Sequence, residues 1–163
     1  MRLPVSKKVA YLVLGPLPHL AGYVGGPLRV SRKGRRRGWT KGRPGRANVL
    51  GLIPVGAGAA FIAWAALGHY RKSPDEARLT PTPDYLVTEG PYAITRNPMY
   101  VGGAAMWAGW SLFFGNLRVA ASGLGWFLAI NRWGIPFEER MLQRKFGDTY
   151  EDYRRRVPRW IAV

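Results

Sequence analysis

The chain has no cysteine. That absence excludes disulfide frameworks, cysteine-based zinc sites and thiol catalysis. Acidic residues are scarce as well: nine Asp and Glu stand against 25 Lys and Arg, a net charge of +16 over 163 residues. Charge of either sign is nearly missing from three long blocks. Residues 9–28, 49–70 and 97–131 hold one charged residue between them, Arg118. A soluble domain interleaves charged and apolar residues at helix or strand period. Segregation into blocks excludes both an ordinary soluble globule and global disorder. The mean hydropathy of −0.14 conceals this, because it averages apolar blocks with basic ones.

What is present is strongly basic, with a pI near 11.1. The run from Arg29 to Arg46 carries nine basic residues with Gly34, Gly38, Gly42 and Gly45 between them, and reads as a flexible basic arm. Such a segment suits nucleic-acid phosphates. It suits equally a membrane protein whose basic loops lie against anionic headgroups. The uncharged blocks, with seven Trp and eight Tyr, favour the membrane.

A membrane-crossing helix needs about 20 mostly apolar residues. Val49–His69 meets this, and its Gly56-Ala57-Gly58 offers a neighbouring helix a close approach. Pro98–Gly115 is a second candidate. Val119–Ile135, closed by Pro136, is another, and the short turn between the two makes them an antiparallel hairpin. Val9–Leu28 is interrupted by Gly15-Pro16, Pro18 and Gly25-Gly26-Pro27. It reads as a kinked membrane helix, since those prolines spoil the apolar core of a secretory signal. After Pro136, residues Phe137–Val157 place Phe137, Met141, Leu142, Phe146, Tyr150 and Tyr153 at spacings of three and four. That predicts an amphipathic interfacial helix, broken near Gly147-Asp148.

The expected fold is therefore all-α and integral to the membrane, with about four transmembrane helices. Residues 1–48 form the kinked helix and basic loop. Residues 49–163 form the core: helix 49–69, loop 70–97, hairpin 98–136 and amphipathic helix 137–157. Four spans put both termini on one side, with 15 basic residues there against 10 opposite. The positive-inside rule then favours a cytoplasmic C-terminus.

Three motifs gather at one membrane edge in this topology. Leu86-Val87-Thr88-Glu89-Gly90-Pro91-Tyr92 leads into Thr95-Arg96-Asn97-Pro98-Met99-Tyr100. Glu138-Glu139-Arg140 follows the hairpin. Tyr150-x-x-Tyr153-x-x-Arg156-Val157-Pro158 closes the chain. Because Arg96 precedes the hairpin and Glu138 follows it, the hairpin brings them together in a polar pocket at the mouth of the bundle. Taken singly, each has a plainer role. Arg96 and Arg140 suit an interface, Glu138-Glu139 a helix start, Pro98 a first turn, and Tyr150 and Tyr153 an aromatic belt. Occurring together in this order, they point to a site.

The ordered set resembles the small integral-membrane methyltransferases, the superfamily of isoprenylcysteine carboxyl methyltransferases and phospholipid N-methyltransferases. The resemblance covers roughly residues 49–160 and is strongest from Leu86 on. It implies S-adenosylmethionine as cofactor, bound at the cytosolic ends of the last helices. The candidate cofactor residues are Gly90, Tyr92, Arg96, Pro98, Tyr100, Glu138 and Glu139, with His69, Tyr150 and Tyr153 as weaker candidates. Arg96, Asn97 and Tyr100 are the candidate positioning residues. Arg96 suits a bidentate grip on the cofactor carboxylate. Glu138 and Glu139 suit its ammonium or ribose. Tyr92, Tyr100 and Trp133 suit the adenine or the sulfonium. Methyl transfer to a good nucleophile needs alignment and a dry site rather than an acid–base dyad.

Two departures from the family stand out. Many relatives have Arg-His-Pro where this chain has Arg-Asn-Pro, and Asn97 cannot carry a proton-transfer role. Val49–Gly68 has no basic residue, whereas the isoprenylcysteine enzymes hold their substrate carboxylate with an arginine in the preceding helix.

The expected activity is methyl transfer from S-adenosylmethionine to a lipid-borne or small apolar acceptor, in a prokaryotic cell membrane with the cofactor site facing the cytoplasm. Expected partners are the bilayer and that substrate, with no metal and no nucleic acid. The rival readings are an NADPH-dependent sterol-reductase-like enzyme and a membrane-anchored basic protein that binds anionic lipid or nucleic acid through residues 29–46.

Overall fold

The computed structural model of the chain describes residues 16–72 and 85–161. Its helices are α1 (Pro16–Ser31), a short α2 (Arg46–Val49), α3 (Leu52–Lys72), α4 (Pro98–Phe114), α5 (Leu117–Ala129), α6 (Ile135–Phe146) and α7 (Asp148–Arg156). A 3-10 turn, Gly90–Ala93, precedes α4, and a π-helical segment, Ile130–Gly134, joins α5 to α6. The described strands are a two-residue hairpin, β1 (Trp39–Thr40) and β2 (Arg43–Pro44), within an otherwise helical fold.

Helices α3 and α4 form the most extensive contact in the molecule. They run antiparallel and approach closely, with small residues of the two segments facing each other. A Cβ on Gly51 would strike the Gly109 carbonyl, and one on Gly58 the Gly102 carbonyl. The backbones therefore touch at two levels, as small residues allow. Of the predicted Gly56-Ala57-Gly58 contact, Gly58 makes it and Gly56 faces open space. Tyr23 of α1 lies on Gly103, and Trp107 packs against Gly26 and Gly123. Tyr23, Ile62, Met106, Trp107, Phe114 and Val119 complete this core.

Positions 9–15 of the predicted first helix lie outside the described residues. The part that is described does not stop at Leu28 but continues through Gly25-Gly26-Pro27 to Ser31. At the far end of α4, Gly115 adopts φ 54° and ends the helix. Asn116 then caps α5, its side chain accepting from the Arg118 and Val119 amides at 2.9 and 3.4 Å. That is a standard N-cap for a helix whose first N–H groups lack partners.

The predicted stop at Pro136 does not occur. Proline lacks the N–H of the α pattern and its ring crowds the carbonyl four residues back. The chain widens instead into the π turn, where the Ile135 amide bonds the Ile130 carbonyl, five residues back. The helix passes Pro136 and continues to Phe146. Gly147, at φ 52°, separates α6 from α7, at the predicted break.

Residues 29–46 are also unlike the flexible arm that their composition suggests. The β1–β2 hairpin folds back on the α4–α5 turn. Asn48, buried beneath it, donates to the Arg37, Leu112 and Phe113 carbonyls, each at 3.0 Å. The Trp39 indole donates to the Phe113 carbonyl at 2.8 Å, and the Asn116 amide to the Lys33 carbonyl at 3.1 Å.

Among the described residues one helical stretch, Arg46–Lys72, which runs from α2 into α3, is long and apolar enough to cross a membrane, and the expected count of four is not confirmed. Large apolar side chains nevertheless face outward along several helices, among them Ile53, Leu117, Leu124 and Trp133.

Candidate active site

The antiparallel layer has two ends. One carries the α4–α5 turn and the basic loop; the other carries the start of α4, the π segment, α6, α7 and the C-terminal tail. The predicted site residues collect at the second end, and long-range hydrogen bonds hold them there.

Arg96 lies just before α4 with its side chain 10% exposed, and its Nη2 is 3.1 Å from Glu139 Oε1. Glu139, 14% exposed, also takes Arg159 Nη2 at 2.6 Å on its other oxygen. One carboxylate thus bridges two guanidinium groups, and the geometry joins the start of α4, the first turns of α6 and the tail. Arg96 Nε and Nη1 are buried and have no hydrogen-bond partner among the described residues. Buried polar atoms are nearly always partnered, so these two donors leave hydrogen-bonding capacity unused among the described residues.

Tyr100, one turn into α4, donates its hydroxyl to Glu138 Oε2 at 3.1 Å. Desolvation lifts the Glu138 carboxyl above its usual range, and the Tyr100 hydrogen bond pulls it part of the way back. Glu138 keeps an exposed edge, whereas Glu139 is enclosed by its arginines. Of the two, Glu138 has the greater capacity left for a cationic ligand.

Asn97 and Thr95 are buried supports. The Asn97 amide and the Thr95 hydroxyl both donate to the Arg159 carbonyl, at 3.0 and 2.7 Å. The Arg96 amide donates to the Pro158 carbonyl at 3.0 Å. Pro98 is buried at the first position of α4, where its missing N–H costs no hydrogen bond. On the loop before α4, the Tyr92 hydroxyl meets His69 Nε2 at 2.8 Å, and the Tyr92 carbonyl accepts from the Tyr153 hydroxyl at 2.7 Å. Gly90 holds φ 61° at the turn against Trp64.

Tyr150 and Tyr153 form a second small core with Val157, Leu86, Leu142 and Phe146. Burial pushes both hydroxyls above the ordinary tyrosine range, so they remain neutral donors. Tyr150 also lines a cleft of about 360 Å³ with Pro136, Glu139, Arg140, Gln143, Glu151 and Arg154. Trp133, offered by the sequence as a stacking residue, stands 67% exposed on the π segment, away from Tyr92 and Tyr100 in the described ring contacts. Arg156 is exposed and bonds the Asp152 carbonyl, outside the site.

A second cavity, of about 280 Å³, opens on the same end between α1, α4 and α5. Its walls are His19, Gly22, Tyr23, Tyr100, Trp107, Trp126 and Ile130. Tyr100 is shared between this aromatic chamber and the Glu138 contact. Among the described residues no cluster of three His, Asp or Glu is placed to hold a metal.

Sequence reasoning missed Arg159, Thr95 and Asn131. Arg159 directly follows the closing Arg156-Val157-Pro158, so its position was the available signal. Asn131 accepts from the Trp160 indole at 3.2 Å and fastens the tail to the π segment.

The chain thus folds as a helical layer with a charged mouth built from both flanks of a hairpin. The chain belongs to the phospholipid methyltransferase family, whose model matches residues 49–149. It is 41% identical over 68 residues to methanethiol S-methyltransferase 2 of Bradyrhizobium diazoefficiens, covering 41% of this chain and 25% of that protein. It is 41% identical over 81 residues to the protein-S-isoprenylcysteine O-methyltransferase of Schizosaccharomyces pombe, covering 48% of this chain and 33% of that one. An uncharacterized protein of Haemophilus influenzae matches over its whole length at 35% identity, across 63 residues and 39% of this chain. The matched segments thus span a third or less of the two named enzymes. No solved structure matches the chain significantly.

Proposed function

We propose that the chain is a membrane-embedded methyltransferase that moves a methyl group from S-adenosylmethionine to a lipid-borne or small apolar acceptor. The observation that carries this reading is the buried Arg96 guanidinium, with two unpartnered donors beside Glu139 and one helical turn from the Tyr100–Glu138 pair. The donor set fits the polar half of the cofactor, which presents a carboxylate and an ammonium. Arg96 would hold the carboxylate by charge-assisted hydrogen bonds, and Glu138 the ammonium. The cofactor supplies, when bound, a methyl group on an electrophilic sulfonium.

The remaining work falls to the fold. Glu139 and Arg159 fix the Arg96 side chain, so little rotamer entropy is lost on binding. The aromatic chamber beside Tyr100 offers the acceptor an apolar, water-poor space next to the charged mouth, which favours in-line displacement. Outward-facing leucines and isoleucines on the described helices, and the apolar helix Arg46–Lys72, support a bilayer setting in which an apolar acceptor enters from the side. With the site end in the cytoplasm, the cofactor arrives from the aqueous phase.

The test is calorimetry on the purified full chain in detergent, with S-adenosylhomocysteine as titrant. Saturable binding is expected, together with a raised unfolding temperature. Protection by NADPH instead of S-adenosylhomocysteine would overturn the reading in favour of a reductase.

A further inference from the structure

The basic loop plays no part in the site, and it lies at the opposite end of the helical layer. We infer that residues 29–46, together with Arg118 on the α4–α5 turn, form a folded docking surface for the anionic headgroups of phospholipids.

Among the described residues the charge at this end is of one sign. The first acidic residue in the chain is Asp75, and all nine acids fall within residues 75–89 and 138–152. The described ones are at the site end. Among the described residues none of the nine basic residues of the loop, nor Arg118, forms an ion pair.

One of the nine has an internal task. Arg36 bonds the Ser31 carbonyl and hydroxyl at 3.3 Å and lies over the Trp39 and Phe114 rings at 4.8 and 5.1 Å. The other eight, and Arg118, are exposed. The fold keeps them in fixed array rather than on a loose arm. Asn48 and Trp39 tie the hairpin down, and the Arg37 amide donates to the Gly115 carbonyl at 3.0 Å. A preorganised array binds a charged surface without first losing loop entropy.

The surroundings distinguish a lipid from a nucleic acid. Exposed apolar side chains border the cations directly: Leu28, Val49, Leu50, Leu112 and Leu117. Cations set above an apolar belt match the order of headgroup and acyl chain at a bilayer surface. Single-stranded nucleic acid would want exposed aromatic rings for base stacking. The loop's one aromatic residue, Trp39, is turned inward onto Phe113 and Phe114, with its N–H already bonded.

This inference rests on the membrane setting proposed above but not on methyl transfer. The full chain is purified, incubated in mixed micelles of equal phosphatidylglycerol and phosphatidylcholine, repurified, and its retained lipid quantified. Wild type is expected to retain phosphatidylglycerol preferentially, less so as salt is raised. The variant R32E/R35E/K41E/R43E is expected to lose that preference by at least about tenfold, since each cation near an anionic surface contributes roughly fivefold. Charge reversal at the other end, R71E/R144E, should leave it intact. If the quadruple Glu variant does not fold, the corresponding Gln variant carries the same test with a smaller loss. Equal retention of the two lipids by wild type, survival of the preference in the folded quadruple variant, or tighter binding of a short RNA than of phosphatidylglycerol vesicles would each overturn the inference. S-adenosylhomocysteine binding, measured on the same samples, should be unchanged in the loop variants. Its absence from wild type would sink the methyltransferase reading and leave the lipid surface standing.

Discussion

Arg96 and Glu139 meet as a nearly buried ion pair, 3.1 Å apart, from opposite flanks of the helical hairpin. Arg159 closes on the same carboxylate, so Glu139 bridges two guanidinium groups from separate segments of the chain. It is a strut for the site as much as a ligand. Arg96 keeps two buried donors without a partner among the described residues.

Removing the strut should cost more than removing the ligand contact. Glu139→Ala leaves Arg96 buried without a counter-charge, and breaking a buried pair costs about 3–5 kcal/mol. A marked fall in thermal unfolding temperature in detergent is expected, with loss of S-adenosylhomocysteine binding. Arg96→Lys keeps the charge toward Glu139 but lacks the planar fork. Its unfolding temperature should stay near wild type while affinity falls about 10- to 100-fold, as for one charge-assisted bond. Unaltered calorimetric affinity in Arg96→Lys would count against a carboxylate at this position.

The Tyr100–Glu138 contact predicts a pH dependence of known sign. The folded-state pKa of Glu138 lies above its ordinary value of 4.5, chiefly through desolvation. The protonated carboxyl is the form that the fold prefers, so this group's contribution to stability is present below pH 4.5 and is lost as pH rises through the folded value. Glu138→Gln should remove that decline. Tyr100→Phe deletes the bond that holds the pKa down, and should move the decline to higher pH. Unfolding midpoints measured between pH 4 and pH 8 decide it, and superimposable profiles for the three proteins would contradict the contact.

Two glycines separated by one residue should behave oppositely. A Cβ at Gly58 meets the Gly102 carbonyl and the Met106 side chain, whereas one at Gly56 meets nothing within 4 Å. Gly58→Ala should destabilise by about 1–3 kcal/mol through overpacking. Gly56→Ala should be neutral or stabilising by up to about 1 kcal/mol, from helix propensity. Equal unfolding temperatures for the two variants would mean that α3 and α4 do not approach as described.

Thr95 and Asn97 share one acceptor, the Arg159 carbonyl, and should therefore be coupled. Thr95→Val or Asn97→Ala alone leaves the other donor in place and should cost about 1 kcal/mol. The double variant leaves the Arg159 carbonyl without either side-chain donor, and its loss should exceed the sum of the two, as expected for residues in one network. A double-mutant cycle by thermal unfolding measures this, with limited proteolysis at the C-terminus as a second readout. Strict additivity would argue that the two bonds act independently.

Much of this architecture was legible in the chain itself. Charge segregation marked the apolar helices, Gly115 and Asn116 marked the hairpin turn, and Gly147 marked the break between α6 and α7. The motifs on either side of the hairpin identified the family. These signals are local, because helix period, caps and turns depend on neighbours in sequence.

Tertiary structure decided what each motif residue does. The π segment adds a residue to one turn, which rotates everything after it by about 100° relative to an unbroken helix. The faces of Glu138 and Glu139 could not be obtained from periodicity for that reason. Asn97, a candidate positioning residue, and Tyr153, a weaker cofactor candidate, use their polar groups on the Arg159 and Tyr92 carbonyls. Residues 29–46, disordered by composition, are folded because Asn48 and Trp39 find backbone carbonyls on α4. Partners so distant along the chain leave no local trace, and only the packed helices bring them within hydrogen-bonding reach.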